Sequence, residues 1–238
     1  MQVFWANVDQ NHQLWLDETE TRHCRKVLRH QVGDQINCID GAGRYYLAII
    51  SSFTSDQHTL LAVESSITDW GEHGGNVVLG VSPLRLKDRF EWLIEKSVEL
   101  GVNKIVPLRC ERTDPYKSKF KPDRLQTIMR TALKQCKRSR LPELAPLQDF
   151  SEWVTQPLSG PGFMAYCEES AHFVQYLTEI PSPPQLTILI GPEGDFTPEE
   201  VRQATGSGFT SISLGENRLR TETAAIYALS LVKGWTHN

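Results

Sequence analysis

The spacing of apolar residues changes near residue 70 of this chain. Before that point, short apolar runs alternate with tight turns: residues 35–39 and 44–50 flank a glycine-rich turn, and a further run covers residues 58–64. Short strands joined by such turns are typical of a small β-barrel. We therefore predict a barrel over residues 1–70, interrupted by one helix from about residue 18 to 30.

Beyond residue 76, strand and helix patterns alternate. Strand patterns cover residues 77–81, 104–108 and 162–167, and helix patterns cover residues 87–100 and 122–139. Such alternation implies a mainly parallel sheet with helices on both faces. Residues 71–76 are polar and glycine-rich, which is typical of a linker. The predicted fold is therefore α/β, with domains over residues 1–70 and 77–238 joined by the linker 71–76.

The C-terminal part of the chain holds two strand-length apolar runs, residues 186–190 and 210–214, each followed by a glycine-containing loop and then by helical sequence. Loops at the carboxyl ends of parallel strands are where open α/β sheets bind ligands. Two such loops in succession predict a pocket. Neither common phosphate-binding fingerprint is present in them, and tight turns alone would also explain their glycines.

The composition excludes several classes of protein. The chain has 238 residues, 39% of them hydrophobic, which is ordinary for a globular protein with a core. No apolar run approaches the roughly 20 residues that cross a bilayer, and the N-terminus has no signal-peptide pattern. The five cysteines are scattered, without C-x-x-C spacing. We therefore expect reduced thiols in a cytoplasmic protein, with no membrane segment and no metal site.

The formal net charge is −4, yet two parts of the chain are strongly basic. Residues 112–140 hold ten Lys or Arg against two Asp, and residues 22–30 hold no acid. Local basic patches attract phosphate even on an acidic protein, although a basic solvated helix face is the simpler explanation. In the run 22–30, the side chains predicted to face inward are Cys24, Val27 and Leu28. The candidate RNA-binding residues are Arg22, His23, Arg25, Lys26, Arg29, Arg112, Arg130, Lys134, Lys137 and Arg138.

Two C-terminal motifs carry a family resemblance. The run Gly-Pro-Glu-Gly at 191–194, with Leu-Gly at 214–215 and Leu-Arg-Thr-Glu-Thr-Ala at 219–224, resembles the SPOUT-class methyltransferases that modify uridine N3 in 16S ribosomal RNA of the small subunit. Residues 23–29 and 95–102 and the pair Glu111-Arg112 fit the same family in the same order. The resemblance implies a PUA-like RNA-binding barrel, a SPOUT domain with a C-terminal trefoil knot, S-adenosylmethionine as cofactor, and a homodimer.

Three positions depart from the pattern of that family. Asp195 stands where another glycine is frequent, Asn217 where an arginine is frequent, and Lys134 where a glutamate is common. The first two departures affect the expected cofactor loops. The third makes the expected RNA-binding face more basic.

The resemblance assigns cofactor binding to residues of the two glycine-bearing loops and their flanks. These candidates are Leu189, Ile190, Gly191, Pro192, Glu193, Gly194, Leu214, Gly215, Leu219, Thr221 and Thr223. Their backbone groups could hold the adenosine and methionine parts of the cofactor in a bent pose.

Methylation of uridine N3 requires a proton to leave N3 and the resulting negative charge on O2 and O4 to be stabilised. We hypothesise that Arg220 stabilises this charge and that Glu222, or a water it orients, receives the proton. Both residues flank the expected cofactor loop, where spare charges are costly. Glu222 could instead cap the last helix or pair with Arg220.

Two other functions remain open from the sequence. The chain could be a non-catalytic RNA-binding or ribosome-assembly factor, although such a protein has no need of the paired charges in the loop 219–223. It could also be a SPOUT methyltransferase that acts on transfer RNA or on a ribose 2′-OH. The N-terminal barrel favours the ribosomal substrate only through the resemblance.

Overall fold

The computed structural model describes residues 2–54, 57–72, 74–114, 119–169, 171–180 and 185–235. The chain divides into two compact units. The first comprises Met1–Glu72 and Arg130–Leu141, and the second comprises His73–Met129 and Pro142–Asn238. The predicted division placed residues 130–141 in the second domain, whereas the structure groups them with the first unit.

The first unit is built on a six-stranded sheet with the order β1-β4-β5-β6-β3-β2. Its strands are β1 Val3–Trp5, β2 Asn7–Val8, β3 Leu14–Leu16, β4 Gln35–Ile39, β5 Arg44–Phe53 and β6 Thr59–Thr68. The pair β1–β4 is parallel and the other pairs of this sheet are antiparallel. The sheet forms a half-barrel around a buried core that includes Phe4, Leu14, Leu16 and Ile36.

The predicted helix over residues 18–30 is two shorter elements. Helix α1 spans Glu18–Arg22 and is followed at once by a π-helical turn, His23–Val27. The wider turn shifts the phase of the side chains. Cys24 is therefore buried as predicted, but Val27 is 62% exposed and Leu28 is 40% exposed, so the predicted inward face is wrong at these two positions.

The second unit holds a parallel sheet with the order β10-β8-β7-β12-β11-β13, and β9 also pairs with β8. Its strands are β7 Asn76–Val81, β8 Lys104–Arg109, β9 Glu143–Leu144, β10 Gln148–Asp149, β11 Gly162–Ala165, β12 Gln185–Ile190 and β13 Phe209–Ile212. The alternating strand and helix pattern is therefore confirmed. Because the strands are parallel, the loops after β7, β11, β12 and β13 meet at one edge of the sheet.

In the described ranges of the chain, six helices lie between or after these strands in sequence. They are α2 Lys87–Glu99, α3 Pro122–Cys136, α4 Phe150–Trp153, α5 Phe173–Leu177, α6 Pro198–Gly206 and α7 Thr221–Trp235. Helix α6 begins with a capping box, in which Thr197 and Glu200 bond each other's backbone amides, and it has Pro198 in its first turn. No helix in the described part of the chain is long and apolar enough to cross a bilayer.

Helix α3 ends earlier than its apolar periodicity predicts. The helix stops at Cys136, and Lys137 has a positive φ of 61°, which ends the helical path. The chain then turns inward, and Arg138 is only 4% exposed. The prediction that Arg138 lies on the solvated face of this helix is therefore wrong.

Candidate active site

Loops at the carboxyl edge of the parallel sheet line a cavity of about 490 Å³. Residues 213–222 and Ala224 form one wall, and residues 190–193 with Asp195 form a second. The remaining lining residues are Leu84, Leu86, Arg89, Ala165, Tyr166 and Cys167. Small-molecule sites typically have volumes of about 300–1,000 Å³, so the two glycine-bearing loops form a pocket of suitable size.

Most of the predicted cofactor-binding and catalytic residues line this cavity. They are Ile190, Gly191, Pro192, Glu193, Leu214, Gly215, Leu219, Thr221, Arg220 and Glu222. Three others do not line it. Leu189 is fully buried in the apolar core, because neighbouring residues along a strand face opposite sides of the sheet. Gly194 lies against the side chain of Arg112. Thr223 is exposed on α7.

Two glycines of the lining have a steric reason to be glycine. A Cβ at Gly191 would lie 3.1 Å from the ring of Phe196 and 3.2 Å from its backbone nitrogen. Gly215 has a φ of +119°, a conformation that side chains disfavour. Both positions therefore keep the backbone close to the cavity, where amide and carbonyl groups can reach a bound ligand.

The pair Glu111-Arg112 braces the loop after β12. The guanidinium of Arg112 donates hydrogen bonds to the carbonyl oxygens of Gly194, at 2.6 Å, and Phe196, at 3.3 Å. The backbone N–H of Glu111 donates to Glu200 Oε1 at 2.9 Å. The predicted RNA-binding residue Arg112 is thus occupied in holding the cavity wall, and we remove it from the proposed RNA-binding surface.

We expect Arg112→Ala to weaken cofactor binding about tenfold. The loop would lose two charge-assisted hydrogen bonds worth roughly 1.5–3 kcal/mol each, and because Arg112 supports the wall without lining the cavity, only about 1.4 kcal/mol of this loss is expected to reach the bound cofactor. Calorimetric titration with S-adenosylmethionine measures the change. The matched control is Arg109→Ala, since Arg109 forms an exposed ion pair with Asp149 and does not line the cavity. Equal dissociation constants for the two variants would contradict the bracing role.

Asp195 ties two walls of the cavity together. It adopts a positive φ of 64°, which aspartate tolerates better than most residues. Its carboxylate accepts hydrogen bonds from the backbone N–H of Cys167, at 3.1 Å, and of Phe196, at 2.8 Å. The departure from glycine at this position is therefore accompanied by one hydrogen bond that links the loops after β11 and β12 and by a second within the loop after β12.

Two side chains on the β11 side of the cavity keep their protons at neutral pH. Burial, and then the neighbouring Asp195, raise the pKa of the Cys167 thiol above its usual value. Burial, and then a hydrogen bond with Glu168, raise the pKa of the Tyr166 phenol. Neither group is therefore suited to act as a nucleophile or base there.

Charged residues at the cavity divide into paired and unpaired groups. Arg89 Nη1 lies 3.3 Å from Glu222 Oε1, and Glu193 Oε1 accepts a hydrogen bond from the backbone N–H of Arg85 at 3.0 Å. Arg220, in contrast, has no side-chain hydrogen bond or ion pair to any residue that the structure describes. The alternative that Glu222 pairs with Arg220 is therefore not what the structure shows.

Sequence reasoning missed Arg89. It is the third residue of α2, the helix that follows β7, and its contact with Glu222 joins positions far apart in the sequence. A signal was available, because cations just after a parallel strand lie at the ligand-binding edge of the sheet.

Two further RNA-binding candidates are held within the first unit. Arg138 donates from Nε and Nη2 to Glu72 Oε2, at 3.1 and 2.8 Å, and both side chains are almost fully buried. Lys134 forms an ion pair with Glu20. Both are therefore committed to partners inside the unit, and we remove them from the proposed surface.

The remaining candidates are more accessible and all belong to the first unit. They are Arg22, His23, Arg25, Lys26, Arg29, Arg130 and Lys137. The guanidinium groups of Arg25 and Arg130 lie over the rings of Phe53 and Trp5, at 5.1 and 4.7 Å, an arrangement that holds a cation in place while leaving it partly exposed. The run 22–30 and the part of the run 112–140 from Arg130 onward thus belong to a single unit.

Comparison with known proteins identifies the class. Residues 72–233 match the RNA methyltransferase domain family, and residues 16–57 match the RNA methyltransferase PUA domain family. The methyltransferase-domain match covers most of the second unit of the structure. The PUA-domain match lies within the first unit. Fold and site together therefore define a methyltransferase domain with an RNA-binding PUA domain.

Individual relatives narrow the family. The chain is 29% identical over 226 residues to ribosomal RNA small subunit methyltransferase E of Bacillus subtilis, covering 90% of this chain and 86% of the relative. It is 31% identical over 221 residues to the Synechocystis protein of the same name, covering 91% and 71%. The chain therefore belongs to the RNA methyltransferase family that contains ribosomal RNA small subunit methyltransferase E.

Solved structures agree with this assignment. A probable rRNA-methyltransferase from Porphyromonas gingivalis has a TM-score of 0.88 and 29% identity, with 100% of this chain and 99% of the other covered. The Neisseria gonorrhoeae small subunit methyltransferase E bound to S-adenosylmethionine has a TM-score of 0.81 and 28% identity, with 97% and 95% covered. The predicted family and fold class are confirmed.

Proposed function

We propose that this chain transfers a methyl group from S-adenosylmethionine to N3 of a uridine in 16S ribosomal RNA of the small subunit. The observation that carries the proposal is the cavity formed by the two glycine-bearing loops, with Arg220 and Glu222 in its lining. The cofactor bound to the Neisseria relative supports the identity of the methyl donor. The names of the relatives support a substrate in the small subunit.

The residues of the cavity suit this chemistry. S-adenosylmethionine supplies an already activated methyl group when bound, so the protein mainly aligns donor and acceptor. Arg220 stabilises the negative charge that develops on the uracil oxygens. Glu222, directly or through a water, accepts the N3 proton as the new N–C bond forms and the sulfonium C–S bond breaks. The products are N3-methyluridine and S-adenosylhomocysteine.

Calorimetric titration with S-adenosylmethionine tests the catalytic hypothesis against the assembly-factor alternative. Saturable one-site binding is expected, and no detectable binding would favour a non-catalytic factor. Mapping modified nucleotides in cells with and without the gene then tests the substrate. Loss of one N3-methyluridine from 16S ribosomal RNA is expected, whereas loss of a transfer RNA methyl group or of a ribose 2′-O-methyl group would favour the other methyltransferase alternatives.

The first unit provides the proposed RNA contacts. The double variant Arg25→Ala with Arg29→Ala is expected to weaken RNA binding. It is also expected to make the plot of log affinity against log salt concentration less steep, by about 0.7–0.9 for each phosphate that the variant no longer neutralises. Cofactor affinity is expected to be unchanged. The control is Arg202→Ala, which removes an exposed cation paired with Glu199 in the second unit. If the double variant and the control had the same salt slope, these arginines would not bind phosphate.

We include a homodimer and a cytoplasmic location in the proposal. Trp92 of α2 and Tyr227 of α7 are 44% and 42% exposed, and these two helices pack against each other. Exposed aromatic residues are enriched at subunit interfaces. Sedimentation equilibrium measures the mass of the protein in solution, and a monomer at micromolar concentration would contradict the dimer.

The cysteines support the cytoplasmic location. All five are free, which suits a reducing compartment.

The proposed reaction needs no metal ion. Among the described residues, the structure contains no group of three or more His, Cys, Asp or Glu that could hold one. Because the sulfonium already activates the methyl group, methyl transfer after dialysis against a chelator is expected to proceed at the same rate as before.

A further inference from the structure

We propose that Arg89 is a positioning residue whose pairing with Glu222 keeps Arg220 available for the substrate. The inference rests on the proposed function, because it concerns the same cavity. Arg89, Arg220 and Glu222 all line that cavity, but the ion pair in the structure joins Arg89 and Glu222. The arrangement gives the two arginines different roles.

The first step concerns the carboxylate. The Glu222 side chain is only 11% exposed, and a mostly buried carboxylate is costly unless a cation or hydrogen-bond donors offset its lost hydration. Its position in the first turn of α7 helps, since the helix N-terminus is partly positive. Arg89 Nη1, 3.3 Å away, supplies the full charge.

The second step concerns the other carboxylate oxygen of Glu222. Arg89 lies next to Oε1. Oε2 accepts no hydrogen bond from the residues that the structure describes, and it is not a fully buried atom. This oxygen therefore keeps some accessible surface, and Glu222 is a lining residue of the cavity. The pairing thus holds one oxygen in place and leaves the other able to accept a proton from a bound base or water.

The third step concerns Arg220. It precedes Glu222 by two residues, and only its backbone carbonyl has a bond within the described chain, to the N–H of Ala224. Without Arg89, Glu222 would be a buried anion with Arg220 as a nearby cation. Coulomb attraction would then draw Arg220 onto Glu222, and neither group would remain available to the substrate.

The test is a double-mutant cycle measured by single-turnover methylation of 16S ribosomal RNA at saturating cofactor. Arg89→Ala is expected to lower the rate constant about 10- to 100-fold, as misplacement of a reacting group by about 1 Å does. Cofactor affinity is expected to remain near that of the wild type. Arg89→Lys is expected to recover most of the rate, because it restores the charge that Glu222 needs.

In the Glu222→Gln background, Arg89→Ala is expected to have little further effect, because a neutral amide does not attract Arg220. Lys87→Ala is the control: it removes a cation from the same turn of α2, where Lys87 pairs with Glu91. Additive losses in the cycle, or equal rates for Arg89→Ala and Arg89→Lys, would overturn the inference. If Arg89→Ala does not fold, Arg89→Lys and Arg89→Gln replace it in the same cycle.

The cycle also separates this inference from the proposed function. A wild-type protein that transfers no methyl group to 16S ribosomal RNA would refute the proposed function. A wild-type protein that transfers it, combined with additive effects of Arg89 and Glu222, would refute only the role of Arg89.

Discussion

Replacing Arg220 by alanine is expected to lower the single-turnover rate constant for methyl transfer by about 100- to 1,000-fold, the usual loss when one donor to a developing oxyanion is removed. The side chain lines the cavity and has no partner among the described residues. Its removal therefore breaks no other interaction in the described chain. The negative charge on the uracil oxygens loses its stabilising cation, whereas the resting protein loses little.

The measurement needs saturating cofactor and RNA, so that only the chemical step changes. The cofactor dissociation constant and the melting temperature are expected to stay near those of the wild type. Arg220→Lys serves as the matched variant, since it keeps the charge but not the planar donor geometry, and an intermediate rate is expected. Retention of near-normal rate by Arg220→Ala would show that another group stabilises the charge.

Local sequence predicted the loops that line the cavity where short-range rules govern the chain. The two glycine-bearing loops follow apolar strands, and their glycines meet steric limits that the structure makes explicit at Gly191 and Gly215. The start of α6 likewise follows from the capping pair Thr197 and Glu200. Such features depend on neighbours within a few residues.

The errors came from contacts between distant residues and from changes of helical phase. A π-helical turn moved Val27 and Leu28 outward, and periodicity at 3.6 residues per turn cannot anticipate it. The burial of Arg138 depends on Glu72, which is 66 residues earlier in the chain. Likewise, the role of Arg112 depends on carbonyl groups 82 and 84 residues later.

These contacts bear on function. A cation whose charge is offset by a carboxylate of the same protein attracts phosphate less strongly. In residues 112–140, Lys134 and Arg138 pair with carboxylates of this chain. The charge available to RNA is therefore smaller than the sequence predicts.

Glu72→Ala is expected to destabilise the first unit by about 3–5 kcal/mol, the usual cost of removing one member of a buried ion pair. Glu72 Oε2 accepts two hydrogen bonds from Arg138, and Oε1 accepts the backbone N–H groups of Ser139 and Arg140, each at 2.9 Å. The variant leaves the Arg138 guanidinium buried and removes the acceptor for both amides. Urea denaturation gives the change in the free energy of unfolding.

The matched control is Asp69→Ala. Asp69 pairs with Arg140 in the same unit, but both side chains are about half exposed, and such pairs contribute roughly 0–1 kcal/mol. The double variant Glu72→Met with Arg138→Met is expected to regain only part of the stability, because methionine cannot accept the two amide hydrogen bonds. Equal destabilisation by Glu72→Ala and Asp69→Ala would mean that the Glu72–Arg138 pair does not hold residues 130–141 to the half-barrel.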